Sequence, residues 1–291
     1  MRLVHISLLA LAAVALRGQS LTGAIDMHAH SDPDGSARSI DAIDLARLAK
    51  SRGMRAIVLK NHFEPTASVA YLVRKEVPGI EVFGGISLDL TVGGVNPAAV
   101  EWMTKVKGGY GKVVWLPTFD SEHEVIRTGQ KRPFARVVQN GRLVPEVLQV
   151  IAIAAKNNLV LETGHSSPAE ALLIIQEARR QGVQNILVTH AMSREVGMSI
   201  SEMQQAAKFG AYLEFVWVRP ESDAAKAYVQ AIREVGPEFC VLSSDLGQAS
   251  NPLHPDGLLQ LYSFLKSQGF SESEIDRMAK TNPAKLLGLQ P

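Results

Sequence analysis

The 291-residue sequence predicts a single α/β domain folded as a (β/α)8 TIM barrel, with a β-hairpin insertion after the fourth strand. Eight short apolar runs alternate with amphipathic stretches of helical periodicity, which is typical of parallel strands buried on both faces. The length also suits this barrel, which needs about 250 residues. A doubly wound open sheet is the alternative, but it usually carries a glycine-rich turn after its first strand, and this sequence has none there.

The predicted elements follow one another in strict alternation. The strands are residues 23–28, 55–62, 80–89, 112–119, 158–165, 185–190, 211–218 and 238–245. The helices between them are residues 39–53, 67–77, 96–106, 144–157, 167–182, 199–210 and 222–236, and further helical segments follow Pro255. Four polar residues suit N-caps, and two prolines suit the first helical position: Ser39, Asn96, Ser167, Ser222, Pro97 and Pro168.

One connection is much longer than the others and runs from Asp120 to about Val144. It contains the segment RVVQNGRLV, in which Asn140-Gly141 separates two β-prone arms and predicts a small hairpin. A loop of this length on a compact barrel is often a lid or a binding loop.

The overall composition indicates a globular protein that acts on small molecules. The chain is 46% hydrophobic and carries a formal net charge of +1, so we expect no nucleic-acid partner. Cys240 is the only cysteine, which excludes an intrachain disulfide, and its apolar surroundings predict an inert buried thiol. A homo-oligomer is compatible with this sequence.

The first 18 residues predict an export signal, because an apolar run from Leu3 to Leu16 follows Arg2. This run is shorter than the roughly 20 residues of a membrane span. We therefore expect residues 19–291 to form the barrel, in the periplasm or secreted, with no membrane attachment after processing.

Seven of the eight histidines fall at or beyond the C-terminal ends of predicted strands, and none falls on a predicted helix: His28, His30, His62, His123, His165, His190 and His254. Barrel enzymes build their active sites at this rim. Side chains alternate along a strand, so Asp26, His28 and His30 should project to one side, as should Lys60 and His62. Imidazoles and a carboxylate such as Asp245 are the ligands of catalytic zinc, so the pattern predicts a metal site.

These residues resemble the amidohydrolase superfamily of metal-dependent hydrolases. The matching features are DMHAH in strand 1, ETGH after strand 5, VTHA after strand 6, SSD after strand 8 and the closing TNPAKLLGL. The resemblance extends from Ile25 to Leu289 and points to an uncharacterised branch. It implies that His28, His30, His165, His190 and Asp245 ligate one or two divalent ions, zinc first and manganese second, and that Asp245 is the general base.

Strand 4 departs from this pattern. Many relatives place a lysine or a glutamate there to bridge two metals, whereas this strand reads VVWLPTF. Lys60 could supply an inward, catalytic amine instead, or only pair with Asp89. Glu162 and His165 compete for one ligand position. His62, His123 and Asp26 are further candidates, and Asp26 is expected to orient an imidazole.

The leading hypothesis is a hydrolase of amides, cyclic amides, lactones or esters that uses a metal-activated water, with His190 assisting. A second resemblance, in LARLAKSRGMRAIVLKNHFEP, is to the polymerase-and-histidinol-phosphatase family of seven-stranded phosphoesterases, although Asn61 stands where that family has aspartate. The basic stretch RTGQKRPFAR could bind phosphate. The other alternative is an exported barrel that binds a metal or ligand without catalysis.

Overall fold

A computed structural model describes residues 20–290. Eight strands form its sheet: β1 Ile25–Ala29, β2 Ala56–Leu59, β3 Glu81–Ser87, β4 Gly111–Trp115, β5 Val160–Glu162, β6 Asn185–Val188, β7 Tyr212–Phe215 and β8 Cys240–Leu242. Each strand pairs in parallel with its neighbour in sequence. Backbone bonds from Asp245 N to His28 O (2.8 Å) and from His30 N to Leu246 O (2.9 Å) join the two edges. The predicted (β/α)8 barrel is confirmed. The predicted export signal lies outside the described residues and stays a prediction.

Helices surround the sheet: α1 Ala42–Ser51, α2 Ala67–Glu76, α3 Pro97–Thr104, α4 Glu122–Arg127, α5 Pro145–Lys156, α6 Pro168–Arg180, α7 Ile200–Lys208, α8 Asp223–Val235, α9 His254–Ser267, α10 Glu272–Asp276 and α11 Asn282–Leu287. The predicted caps Asn96, Ser167 and Ser222 are confirmed. The prediction of Ser39 as an N-cap is wrong. Asp41 caps α1, because its carboxylate accepts hydrogen bonds from the backbone amides of Ile43 and Asp44. Among the described residues no helix is long and apolar enough to cross a membrane.

The apolar core has two layers. Alternate strand residues fill the barrel interior, among them Ile25, Met27, Val58 and Val113, while the opposite strand faces pack against the helices. Helix α11 closes the N-terminal end of the barrel, since its Ala284, Leu286 and Leu287 join the interior cluster. The interior is therefore apolar at this end, and polar groups are confined to the other end.

The predicted hairpin is present between β4 and β5. Residues Val138–Gln139 pair antiparallel with Arg142–Leu143. Asn140 and Gly141 connect them with φ angles of 51° and 72°, as a two-residue hairpin turn requires. Helix α4 occupies the first part of the same connection, where the sequence prediction had only a loop.

Candidate metal centre

A cavity of about 270 Å³ opens at the C-terminal rim of the barrel. It brings together side chains that follow six different strands. Six of the predicted candidates line it: His30, Lys60, His62, His165, His190 and Asp245. His28 lies directly beneath, fully buried.

Three side chains at the base of this cavity could hold a divalent metal. Asp245 Oδ1 lies 3.1 Å from Nε2 of His28 and 3.1 Å from Nε2 of His30, and the three ligand atoms lie within 4.8 Å of one another. Burial would raise the pKa of Asp245, but His28 and the two imidazole contacts hold that pKa well below its usual value. The carboxylate is therefore ionised, and this donor set of two imidazoles and one carboxylate fits a divalent ion.

The charges around His28 also suit a cation. Burial opposes protonation of His28, but the carboxylates of Asp245 and Glu214 outweigh burial and raise its pKa to about 9. Nδ1 of His30 is buried and has no partner among the described residues. The site thus concentrates negative charge around His28, which a bound cation would compensate, while the unpartnered nitrogen of His30 is not the one that contacts Asp245.

The strand geometry places Asp26 differently from the prediction. Ile25 and Met27 face the barrel interior, so Asp26 lies on the opposite face of β1. The register between β1 and β2 shifts between Asp26 and Ala29, and this irregularity turns His28 inward. Oδ1 of Asp26 accepts backbone bonds from His28 N (3.1 Å) and Ser244 N (2.9 Å). The expectation that Asp26 shares a face with His28 and orients an imidazole is therefore wrong.

Glu214 on β7 has the orienting role instead. Its Oε2 accepts a bond from His28 Nδ1 at 3.2 Å and another from His190 N at 2.9 Å. A carboxylate behind an imidazole fixes the tautomer and directs Nε2 at the ligand site. The sequence contained a usable signal. Glu214 is two residues from Tyr212, which faces the barrel interior, so both side chains lie on the same face of the strand.

Lys60 and Glu162 lie in the same buried layer at the base of the cavity, and only Lys60 lines it. Lys60 Nζ is 3.0 Å from His28 Nε2 and 5.6 Å from the centre of the Trp115 ring. Asp89, its alternative partner, instead accepts backbone bonds from Thr118 and Asp120. Burial lowers the pKa of Lys60 from its ordinary value, against the pull of the surrounding carboxylates.

Of the two candidates after strand 5, only His165 reaches the cavity. Glu162 is fully buried, and its Oε2 accepts a bond from Thr189 Oγ1 at 3.1 Å. Burial, reinforced by the charge of Glu214, raises the pKa of Glu162 to about 8. Gly164 permits the turn between them, since it has a φ of 61° and a Cβ there would lie 2.2 Å from Leu116 O.

A hydrogen-bond chain fixes the tautomer of His62. Thr118 Oγ1 donates to the carboxylate of Asp89, so this hydroxyl must accept the 2.7 Å bond from His62 Nδ1. Nε2 of His62 is consequently unprotonated. Burial, together with the charge of Lys60, lowers the pKa of His62 well below its usual value and keeps the ring neutral.

His165 and His190 form the other side of the cavity, with ring centres 4.9 Å apart. Nδ1 of His190 lies 2.7 Å from Ser193 Oγ. Nδ1 of His165 is buried and has no hydrogen-bond partner among the described residues. Burial lowers the pKa of both rings, so two neutral imidazoles face the metal triad.

Two histidines lie on helices, so the expectation that none does is wrong. His123 is in α4, and His254 is the first residue of α9. Neither lines the cavity. His254 supports it from behind, because its Nε2 donates to His30 O at 2.9 Å.

The long connection after β4 contributes neither a lid nor a phosphate site to this cavity. From its residues 121–144 none lines the cavity. The three arginines of its basic stretch are each paired with a nearby carboxylate: Arg127 with Glu124, Arg132 with Asp120, and Arg136 with Glu122. These ion pairs neutralise the arginines of the basic stretch, and the barrel has eight strands instead of seven, so both observations count against the phosphoesterase alternative.

The sequence prediction missed several polar residues that line the cavity: Ser36, Arg38, Glu195 and Gln248. They lie on the loops after β1, β6 and β8, where no periodicity or motif marks them. Phe119 was also missed, although its ring centre lies 4.1 Å from that of His62.

Solved structures with the same architecture include a lactonase of Deinococcus radiodurans related to phosphotriesterases, in mutant form. It is 14% identical, with 93% of this chain and 97% of that chain covered and a TM-score of 0.62. A protein of Pseudomonas putida assigned as a 2-pyrone-4,6-dicarboxylic acid hydrolase is 17% identical, with 93% and 99% covered and a TM-score of 0.62. An amidohydrolase of Pseudomonas aeruginosa is 12% identical, with 91% and 95% covered and a TM-score of 0.57.

At these identities the likeness shows the fold alone, and this barrel is the fold that the resemblance to the amidohydrolase superfamily implies. No curated protein sequence matches this one. The model of a family of unknown function, DUF6282, matches residues 23–214, which is more than half of the chain. The chain therefore belongs to the family DUF6282.

Proposed function

We propose that this protein is a metal-dependent hydrolase that cleaves an amide, cyclic amide, lactone or ester bond of a small molecule. The observation that carries the proposal is the metal triad of His28, His30 and Asp245 at the base of a rim cavity. Structures of similar fold include proteins named as a lactonase, an amidohydrolase and a pyrone dicarboxylic acid hydrolase, which supports hydrolysis as the reaction class.

Zinc is the ion that this donor set favours, with manganese as the second choice, and the triad accounts for one ion. When bound, the ion would lower the pKa of a water molecule toward about 7 and polarise the scissile carbonyl. His28 would have to exchange its contact with Lys60 Nζ, 3.0 Å away, for the metal. The amine of Lys60 would then be released toward the cavity that it already lines.

The residues around the triad have different roles in the reaction. Asp245 takes a proton from the attacking water and passes it to the leaving oxygen or nitrogen, so the bond breaks with no net loss of protons. His190 and Lys60 donate hydrogen bonds to the carbonyl oxygen as negative charge develops there. His165 and His62 present neutral imidazoles on the cavity wall, where either can hold water or the substrate.

The decisive experiment combines metal analysis with a hydrolysis panel. Protein purified without added metal is analysed by plasma mass spectrometry, then stripped with a chelator and reconstituted with zinc or manganese. Activity is measured on lactones, aryl esters and cyclic amides. His28→Ala and Asp245→Ala should each lose bound metal and activity, whereas the matched control His123→Ala should retain both, because His123 does not line the cavity.

Three outcomes contradict the proposal. Full metal content in both ligand variants would show that the metal is bound elsewhere. Bound metal with hydrolysis of no substrate class would favour a binding protein. Activity confined to phosphoesters, which are measured beside the panel, would revive the phosphoesterase alternative.

A further inference from the structure

The cavity wall formed by the loop after β1 contains a fixed guanidinium. Arg38 lines the cavity, and its side chain is 7% exposed. The carboxylate of Asp34 accepts a bond from Arg38 Nε at 2.6 Å and contacts Nη2 at 2.5 Å through the same oxygen, Oδ2. Asp34 is itself fully buried and does not line the cavity, so it holds the arginine from behind.

The loop that carries Arg38 is itself fixed. Asp32 N donates to Ile40 O at 2.9 Å, which closes the loop on itself. Ser39 N donates to Gly247 O at 2.8 Å, which ties it to the loop after β8. A Cβ at Gly247 would lie 2.4 Å from His30 O, so the backbones of the two loops are in close contact. Arg38 is therefore positioned relative to the metal triad before any ligand binds.

One edge of this guanidinium is available to a ligand. Nη1 of Arg38 donates to none of the residues that the structure describes. Ser36 and Gln248 also line the cavity, and Nε2 of Gln248 donates to Asp245 O at 3.0 Å. A buried arginine side chain that is held by a carboxylate and has a free edge is suited to a planar oxyanion.

We infer that Arg38 binds a carboxylate of the substrate, so that the enzyme acts on small lactones, esters or amides that carry a second, negatively charged group. This inference rests on the proposed function and names the substrate class of that same site. The volume of 270 Å³ lies below the usual range of about 300–1,000 Å³ for ligand pockets, which restricts the substrate to a small molecule.

The charges favour a monoanion over a phosphate dianion. Asp34 already neutralises part of the charge of Arg38, and two more carboxylates, Glu195 and Asp245, line the cavity. A single negative charge can pair with Arg38 without further compensation, whereas a second charge would face these acids.

The test compares two lactones that differ only in the substituent next to the ring oxygen. One is 5-oxotetrahydrofuran-2-carboxylate, and the other is γ-valerolactone, which has a methyl group in place of the carboxylate. Wild-type protein should prefer the carboxylated lactone in kcat/KM. Arg38→Met should reduce this preference roughly 10- to 100-fold, the range for losing one charged hydrogen-bonded pair, because it loses more rate on the carboxylated lactone than on γ-valerolactone, and metal content should not change.

Two further variants complete the comparison. Arg38→Lys keeps the charge but not the planar fork, so it should retain only part of the preference. Arg47→Met is the matched control, because Arg47 is an exposed arginine of α1 that pairs with Asp44 and Glu76. It should behave as wild type.

A binding measurement separates this inference from the proposed function. Calorimetry compares the two ring-opened products, 2-hydroxyglutarate and 4-hydroxypentanoate, in wild type and Arg38→Met. Tighter binding of the dicarboxylate that disappears in Arg38→Met supports the inference even if no lactone is hydrolysed. If both lactones are hydrolysed and the preference for the carboxylated one is the same in wild type and Arg38→Met, the inference is overturned and the proposed hydrolase function stands. Equal binding of the two products by wild type also overturns the inference.

Discussion

The two ends of the barrel are built from the same strands but are opposite in character. At the N-terminal end Ile25, Val241 and Leu286 pack in an apolar interior under α11. Two or three residues further along the strands the interior becomes charged, with the fully buried His28, Lys60, Glu162 and Glu214 in one layer.

The difference between the ends lies in how completely polar atoms are satisfied. One carboxylate oxygen of Glu162 and one of Glu214 have no hydrogen-bond partner among the described residues, and the same holds for Nδ1 of His30 and of His165. Such groups are costly to bury, by about 1–3 kcal/mol each. We conclude that the apolar end supplies stability, whereas the polar end gives up stability to keep ligand atoms available.

Replacing the carboxylate at the base of the cavity should have the largest effect. Asp245→Asn keeps the shape but removes the charge that contacts His28 and His30 at 3.1 Å. Loss of both the base and a metal ligand should lower kcat/KM by about 10³-fold or more. Steady-state kinetics and metal analysis measure the effect, and unchanged activity or metal content in Asp245→Asn would contradict the place of Asp245 at the metal site.

A large-to-small change at the apolar end should lower stability and leave activity unchanged. Leu286→Ala opens a cavity under the barrel, since Leu286 is 1% exposed, and should reduce the free energy of unfolding by about 2–5 kcal/mol. Metal affinity and kcat/KM of the folded fraction should not change. Leu289→Ala is the matched control, since Leu289 is only partly buried and should contribute less. A change in metal affinity in Leu286→Ala would show that the two ends are coupled.

Within the polar end, the orienting carboxylate should matter less than the ligands. Glu214→Gln weakens the acceptor of His28 Nδ1 and should lower metal affinity about 10- to 100-fold. Glu162→Gln is the control, because the acceptor oxygen of Glu162 bonds Thr189 and touches no imidazole. Metal titration against a competing chelator distinguishes them. Equal losses in both variants would mean that any change in this buried layer lowers the affinity, and not specifically the contact with His28.

The smallest effect is expected outside both ends, in the hairpin. Gly141→Ala forces alanine into a φ of 72° with open space around its Cβ, so it should reduce the free energy of unfolding by about 1 kcal/mol. Activity should be unchanged, because the hairpin does not line the cavity. Lys131→Ala, an exposed change in the same connection, should be silent in both assays. A change in KM for Gly141→Ala would restore the predicted lid.

Much of the polar end was predictable because it depends on position along a strand. The apolar runs marked the strand ends, and Lys60, His62, His165, His190 and Asp245 all followed those runs to the rim. Asp26 was misplaced because strict alternation fails at a register shift, which depends on how β1 pairs with β2 and not on its own sequence.

The other errors have different causes. His123 was placed beyond a strand because the short helix α4 was missed, although Ser121 with Glu124 three residues later is a helix-start signal in the sequence. Arg38 could not have been found from the sequence, because its direction depends on Asp34 and on contacts between two loops.

The closure of the barrel by α11 determines from which side molecules can reach the cavity. Within the part of the chain that the structure describes, the polar chamber has its opening at the rim, and the interior below it is filled with apolar side chains. Any metal, water, substrate or product would therefore have to pass through the opening at the rim. A substrate that fills the cavity would cover the metal triad, so its product would have to leave before a second substrate molecule could bind.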